Sequence, residues 1–417
     1  MECYEILGGR RLEGTLQVHG AKNSVLPILC ATLLHAGVSV IHNCPSLSDV
    51  EASIAILRHL GCRVERDGGT VTVDAATLTR SDVPDRLMRE MRSSVIFLGA
   101  ILARTGEADV SMPGGCELGP RPIDLHLAAL RKLGATIEQQ GGSLLCTGGK
   151  QLRGAEIELS LPSVGATENA MLAACGAEGT TVIRNAAREP EIVDLARFLR
   201  AMGASLFGEG SSVIRVEGKR PLHDCQHTII GDRIVSATYL SAAAAAGGDV
   251  LLTGVEPEQF STVTSLLRDA GAEVQCFPDG VRIRTNGRLT SSGVIRTSPY
   301  PGFPTDAQPV VMAALCLSRG TTVFVETMFE NRYRHVDELR RMGADIRVQD
   351  RVAVVTGVER LRGATVEAHD LRGGGALCVA ALGAEGVSRI TGLHHIRRGY
   401  ASLAEDFRAL GAQIREQ

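Results

Sequence analysis

The sequence predicts an α/β protein of two domains, each made of three copies of one supersecondary unit. Three observations carry that prediction. An apolar residue followed by Gly, and usually then Ala, recurs six times: Leu60-Gly61-Cys62, Leu133-Gly134-Ala135, Met202-Gly203-Ala204, Ala270-Gly271-Ala272, Met342-Gly343-Ala344 and Leu410-Gly411-Ala412. These glycines lie 68 to 73 residues apart, and a second series (Gly37, Gly106, Gly179, Gly248, Gly320, Gly386) runs 23 to 28 residues ahead of them. Only 3% of the 417 residues are aromatic and none is Trp, while 44% are hydrophobic. The core is therefore built from Leu, Val, Ile and Ala, which suits slim helices packed closely.

Glycine is favoured just past a helix C-terminus because it enters the left-handed region without a Cβ clash. One helix of each unit thus ends near the earlier glycine and the next near the later one, with a strand between them. In the first copy, Ser48-x-x-Glu51 reads as a capping box, and Val50, Ile54, Leu57 and Leu60 keep one helical face apolar. Arg63 to Arg66 and Thr70 to Val73 read as a hairpin about Asp67-Gly68-Gly69. The unit is strand–helix–strand–helix–strand–strand. One unit cannot bury its own faces, so units pack together. The midpoint falls near Asp224 to Asp232, where Leu222 to His227 breaks the pattern and reads as a linker. A strand is expected over Thr15 to His19. A site between two such halves is the default expectation.

The net charge of −3 gives no reason to expect nucleic acid or an anionic membrane as partner. Eleven cysteines contain no C-x-x-C pair, so a disulfide framework is not expected and a reducing, cytoplasmic setting is. Met1 to Glu5 lacks the basic head and apolar core of a secretory signal. The alanine-rich run Ala237 to Ala246 is too short to span a bilayer.

Several polar spots stand out. Ser111 to Pro122 holds three Pro and three Gly around Cys116 and Arg121, so it is an irregular loop carrying a thiol and a cation. The thiol is a candidate nucleophile or proton donor; the other reading, a small buried hydrophobe, is the commoner fate of a free cysteine. Gly20-Ala21-Lys22-Asn23-Ser24 lies between a strand and an apolar helix. Lys22 there either meets a phosphate with the free N–H groups of the helix start or is a solvated lysine beside a cap. Asp306 ends the proline-rich Ser298 to Thr305; it is a candidate base or, the reading its neighbours favour alone, an N-cap for the apolar run from Pro309. Arg92, Arg332, Arg372 and Arg398 sit in polar or glycine-rich settings. Guanidinium suits phosphate and carboxylate, but singly each reads as a surface arginine. His223 and His227 form an H-x-x-x-H pair without the Glu of H-E-x-x-H, and read as linker rather than metal site. No P-loop or Rossmann fingerprint is present.

Gly20-Ala21-Lys22-Asn23, Pro113-Gly114-Gly115-Cys116, Gly119 to His126, Ser163-Val164-Gly165-Ala166-Thr167, Asn185 to Glu191, Phe303-Pro304-Thr305-Asp306 and Phe329-Glu330-Asn331-Arg332 together resemble the motifs of the UDP-N-acetylglucosamine 1-carboxyvinyltransferase family, in order along the whole chain. The resemblance implies the enolpyruvyl transferase fold of two inside-out α/β barrel domains, residues 22–229 and residues 1–21 plus 230–417, with the active site in the cleft between them. It implies transfer of the enolpyruvyl group of phosphoenolpyruvate to the 3-hydroxyl of UDP-N-acetylglucosamine, with release of phosphate, as the first committed step of peptidoglycan synthesis. Cofactors: none, and no metal.

By the same resemblance Cys116 is the proton donor on a lid loop and a target of fosfomycin, Asp306 contacts the sugar hydroxyl, and Lys22, Arg121 and Arg398 hold phosphoenolpyruvate. Asn23, Arg92, Arg121, Pro122, Ile123, Asp124, Leu125, Ser163, Val164, Gly165 and Met328 fall on nucleotide-sugar positions; Arg332, Asp370 and Arg372 on further substrate positions. The chain departs from the pattern at Ser48 and Leu161, where lysines are common, and at Arg397, where an acid is. The oligomeric state stays open, a monomer included.

Overall fold

A computed structural model of the chain describes residues 2–112, 123–148, 152–285 and 288–417. They fall into two compact units, one of residues 2–19 and 231–417, the other spanning residues 20–230. Six four-stranded sheets are present among the described residues.

The third repeat shows the pattern: strand Glu156–Glu158, helix Val164–Gly176, strand Thr180–Arg184, helix Pro190–Ala201 and a hairpin of Ser205–Phe207 with Val213–Glu217. The first two strands pair in parallel, with Ile157 opposite Ile183. The last strand inserts antiparallel beside Thr180–Arg184. All six later glycines have φ between 91° and 101°. Each closes a Schellman motif; Gly61 N–H donates to Arg58 O and Cys62 N–H to Leu57 O, both at 3.0 Å. The residue three before each of these glycines is always arginine (Arg58, Arg131, Arg200, Arg268, Arg340, Arg408), a regularity that sequence inspection passed over. The structure supplies its reason for four of them. Arg58, Arg200, Arg268 and Arg340 each donate to a carbonyl of the following strand, binding helix end to sheet.

Four expectations need correction. Helix Ser48–His59 is capped by Leu47 with no side-chain bond, so the capping box does not form; Glu51 instead pairs with Arg66 at 2.5 Å. Gly37 is not left-handed; it is glycine because a Cβ there would lie 2.2 Å from Asp224 Oδ1 and 2.3 Å from His35 Nε2. The supposed linker contains strand Cys225–Thr228, which pairs in parallel with Val38–His42 and completes the first sheet. The strand expected over Thr15 to His19 runs Leu12–Gln17, because its parallel partner Gly248–Thr253 sets the register. A strand Tyr4–Leu7 also inserts between Val387–Thr391 and Gln413–Glu416.

Each unit keeps its core around three helices buried on nearly every side, with the sheets outside them. In residues 231–417 these are Arg233–Ala246, Gln308–Leu315 and Leu371–Gly383, packed on one another. Small residues set the spacing: a Cβ on Gly383 would meet Ala245 O at 3.0 Å and Leu317 Cδ1 at 2.7 Å. A helix apolar all round is stable only inside such a cluster. In residues 20–230 the equivalent helices are Lys22–Ala31, Phe97–Thr105 and Val164–Gly176. Among the described residues no helix is long and apolar enough to cross a membrane.

Candidate functional site

Cys116, Arg121 and Pro122 lie outside the described residues, as does the side chain of Arg92. The other expected residues are divided between the two units.

In residues 20–230, Lys22 opens its helix and is almost fully buried. Its Nζ lies 2.5 Å from Asp49 Oδ2, also buried. Lys22 is thus a desolvated, charge-compensated cation rather than a solvated one. Asn23 beside it is partly exposed. The turn is anchored from behind: Ser24 Oγ donates to Asp194, and His227 Nε2 meets the other Asp194 oxygen at 2.9 Å. His227 therefore has a structural partner, and neither linker nor metal ligand describes it. Among the described residues no group of three or more His, Cys, Asp or Glu is set to hold a metal.

Ser163 caps helix Val164–Gly176 through its Oγ, placing Val164 and Gly165 in the partly exposed first turn. Ile123 precedes helix Asp124–Lys132, whose first turn holds exposed Asp124 and part-buried Leu125. One side chain ties these segments together. Buried Asn169 accepts from Gly99 N–H at 2.7 Å, and its Nδ2 donates to Val95 O at 2.8 Å and to His126 Nδ1 at 2.9 Å. It thus joins the 3-10 helix Arg92–Ile96, helix Phe97–Thr105 and the helix of Asp124 and Leu125 to its own. Gly165 leaves room for this: a Cβ would come within 2.9 Å of His126 Cε1. Burial pushes the His126 imidazole down to about 4, against a smaller opposing effect of Asp124. The ring is neutral with Nδ1 as acceptor. On helix Val164–Gly176, burial and then Glu191 and Glu189 push the Glu168 carboxyl well above its usual value.

In residues 231–417, Asp306 is the centre. Ala307, not Asp306, occupies the N-cap of helix Gln308–Leu315, so the capping reading fails. Arg332 Nη2 donates to Asp306 Oδ1 at 2.5 Å, and Arg372 donates to Oδ2 from Nε at 3.2 Å and Nη2 at 3.0 Å. Both guanidiniums are buried, whereas the Asp306 side chain keeps 29% of its surface exposed. Its two oxygens are therefore fixed while one edge stays open. Burial opposes the charge on Arg372, but Asp306, Tyr400 and Asp232 outweigh it and raise the guanidinium above its usual value. Asp370 caps helix Leu371–Gly383 through the N–H groups of Arg372 and Gly373, both at 2.9 Å. Behind it, burial pushes His335 down to about 4, with Asp370 acting the other way.

Met328 is 38% exposed. Its N–H and that of Phe329 donate to Glu326 Oε1 at 2.7 and 3.1 Å. Arg398 is partly buried, while neighbouring Arg397 pairs with Glu2 and Glu416.

The ten described cysteines are free, and only Cys276 is exposed. Burial pushes Cys175, Cys316 and Cys378 up to about 12, so these are inert thiols.

Sequence reasoning missed Asp49, Asn169, Asp194 and Glu326. Asp49 had one signal, an acid inside the first apolar turn of its helix. The others look like ordinary surface residues in the linear sequence.

A family model described as EPSP synthase (3-phosphoshikimate 1-carboxyvinyltransferase) matches residues 6–407. The chain is 52% identical over 414 residues to UDP-N-acetylglucosamine 1-carboxyvinyltransferase 2 of Caldanaerobacter subterraneus subsp. tengcongensis, covering 99% of both. It is 50% identical to UDP-N-acetylglucosamine 1-carboxyvinyltransferase 1 of Symbiobacterium thermophilum, covering 99% of this chain and 95% of that one. Among solved structures, the enolpyruvyl transferase NikO from Streptomyces tendae superposes with a TM-score of 0.88 at 26% identity, covering 100% of this chain and 99% of that one. An EPSP synthase from Acinetobacter baumannii gives 0.77 at 21%, a likeness of fold alone, covering 100% of both.

Proposed function

The chain belongs to the EPSP synthase family of carboxyvinyltransferases, and from that premise we propose that it transfers the enolpyruvyl group of phosphoenolpyruvate to the 3-hydroxyl of UDP-N-acetylglucosamine. One observation carries the choice of acceptor. Relatives at about half identity over nearly the full chain bear that acceptor in their names, whereas the solved EPSP synthase from Acinetobacter baumannii is only 21% identical. The reaction opens peptidoglycan synthesis, and the scattered, unpaired cysteine content suits a cytoplasmic enzyme.

The chemistry asks for three things. The phosphate and carboxylate of phosphoenolpyruvate need cations, a role given to Lys22, Arg121 and Arg398. The methylene carbon takes a proton, given to Cys116, as the sugar oxygen bonds to the adjacent carbon. The sugar hydroxyl gives up its proton, a task suited to Asp306, whose oxygens are oriented by Arg332 and Arg372 and whose side chain keeps an open edge. The adduct then loses phosphate and a methyl proton, restoring the double bond. No step needs a redox change or a metal. Asn23, Arg92, Ile123, Asp124, Leu125, Ser163, Val164, Gly165 and Met328 hold the nucleotide sugar. Their support in the structure is that Asn169 locks the segments of Arg92, Asp124 and Ser163 together.

Phosphate release from phosphoenolpyruvate, measured with each acceptor in turn, tests the reading. Turnover with UDP-N-acetylglucosamine is expected; turnover with shikimate 3-phosphate alone overturns it.

A further inference from the structure

We propose that Glu326 is a positioning residue for this reaction, each carboxylate oxygen holding a different substrate loop; the inference rests on the function proposed above. Glu326 directly follows strand Thr321–Val325 and is 1% exposed. A carboxylate that deep is costly unless its oxygens are occupied. They are occupied unequally. Oε1 accepts from the N–H groups of Met328 and Phe329 at 2.7 and 3.1 Å. Oε2 accepts from Thr305 Oγ1 at 3.0 Å. Hydrogen bonds to a carboxylate are about twice as strong as neutral ones.

The two arms reach different functions. The Oε1 arm shapes the turn that presents Met328. The Oε2 arm grips the residue immediately before Asp306. Thr305 is held a second time through its carbonyl, which accepts from Arg332 Nε at 3.1 Å and Nη2 at 2.8 Å. Arg332 in turn holds Asp306 Oδ1. The base and the Arg332 that orients it are thus both tied to one residue, whose side chain Glu326 fixes. A second lacing runs alongside: Thr297 Oγ1 accepts from Thr327 N–H at 2.9 Å, and Thr327 Oγ1 donates to Thr297 O at 2.7 Å. The strand end and the proline-rich loop therefore move as one piece. The linear sequence hides this because Glu326 and Thr305 are 21 residues apart, and Glu326 lies outside the motifs that single out Thr305 and Asp306.

The experiment separates the arms. Thr305→Val keeps the volume and removes only the hydroxyl of the Oε2 arm. We expect kcat to fall at least tenfold, with KM for UDP-N-acetylglucosamine within twofold of wild type. Thr305→Ser, which restores the hydroxyl, is expected to recover kcat to within threefold. Glu326→Gln keeps an acceptor but loses the charge that serves both arms, so kcat is expected to fall and KM for the nucleotide sugar to rise together. Thermal melts verify that each variant is folded at the assay temperature. A Thr305→Val kcat within twofold of wild type overturns the inference, as does an equal fall in Thr305→Val and Thr305→Ser. Absence of turnover in the wild-type enzyme instead overturns the proposed function, and the inference with it.

Discussion

His126 makes the fold acid-sensitive because its imidazole is buried in the neutral form. Its Nδ1 accepts from Asn169, and burial pushes the imidazole down to about 4. An unfolded histidine takes up its proton near pH 6.5. Below that pH the unfolded chain binds a proton the folded chain refuses, so the stability His126 supplies is complete above pH 6.5 and is lost as pH falls toward 4. The gap of about 2.5 units corresponds to about 3 kcal/mol in all, of which about 2 kcal/mol is lost between pH 7.5 and 5. Protonation also sets a ring N–H against the Asn169 amide, loosening Asp124 and Leu125 from the helix that begins after Ser163. The test compares wild type with His126→Gln, which does not titrate. Urea unfolding free energies at pH 7.5 and 5 are expected to differ by about 2 kcal/mol more in wild type than in the variant. NMR titration of the His126 ring should give a value near 4. A midpoint near 6.5, or equal pH losses in the two proteins, refutes the reasoning.

Four more outcomes are expected. Asp306→Asn keeps the shape but removes the base, and kcat is expected to fall by about 10² to 10⁴; a loss below threefold takes Asp306 out of that role. Asp49→Asn leaves the buried Lys22 ammonium without its carboxylate, which costs about 3–5 kcal/mol. A lowered urea midpoint reports it, and an unchanged one counts against the pair. Cys116→Ala should abolish turnover while UDP-N-acetylglucosamine still binds by calorimetry. Incubation with fosfomycin, an epoxide phosphonate, should add mass at Cys116 alone, and peptide mapping that finds it on Cys276 or nowhere contradicts the assignment.

The repeat was legible because its signal is local. A glycine past a helix end is demanded by backbone sterics, and six left-handed glycines in register need no tertiary knowledge to find. Capping was less legible. Ser48 and Glu51 have the spacing of a capping box, yet Arg66 from the following hairpin takes Glu51. Strand Cys225–Thr228 was invisible because its partner Val38–His42 is nearly two hundred residues away, and four residues without that partner carry no strand signal.

The same division governs the site. The motifs around Lys22, Ser163 and Asp306 can be read from order and spacing alone, since the residues proposed to meet substrate lie in short contiguous segments. Of the two readings the sequence left open at Asp306, the structure removes the helix cap, and the carboxylate is instead held by Arg332 and Arg372, which come from different repeats and meet it only in the folded unit. Asn169, Asp194 and Glu326 belong to the same class. Each is an isolated polar residue whose worth depends on being buried with every partner satisfied, and burial is a property of the assembled unit rather than of the chain.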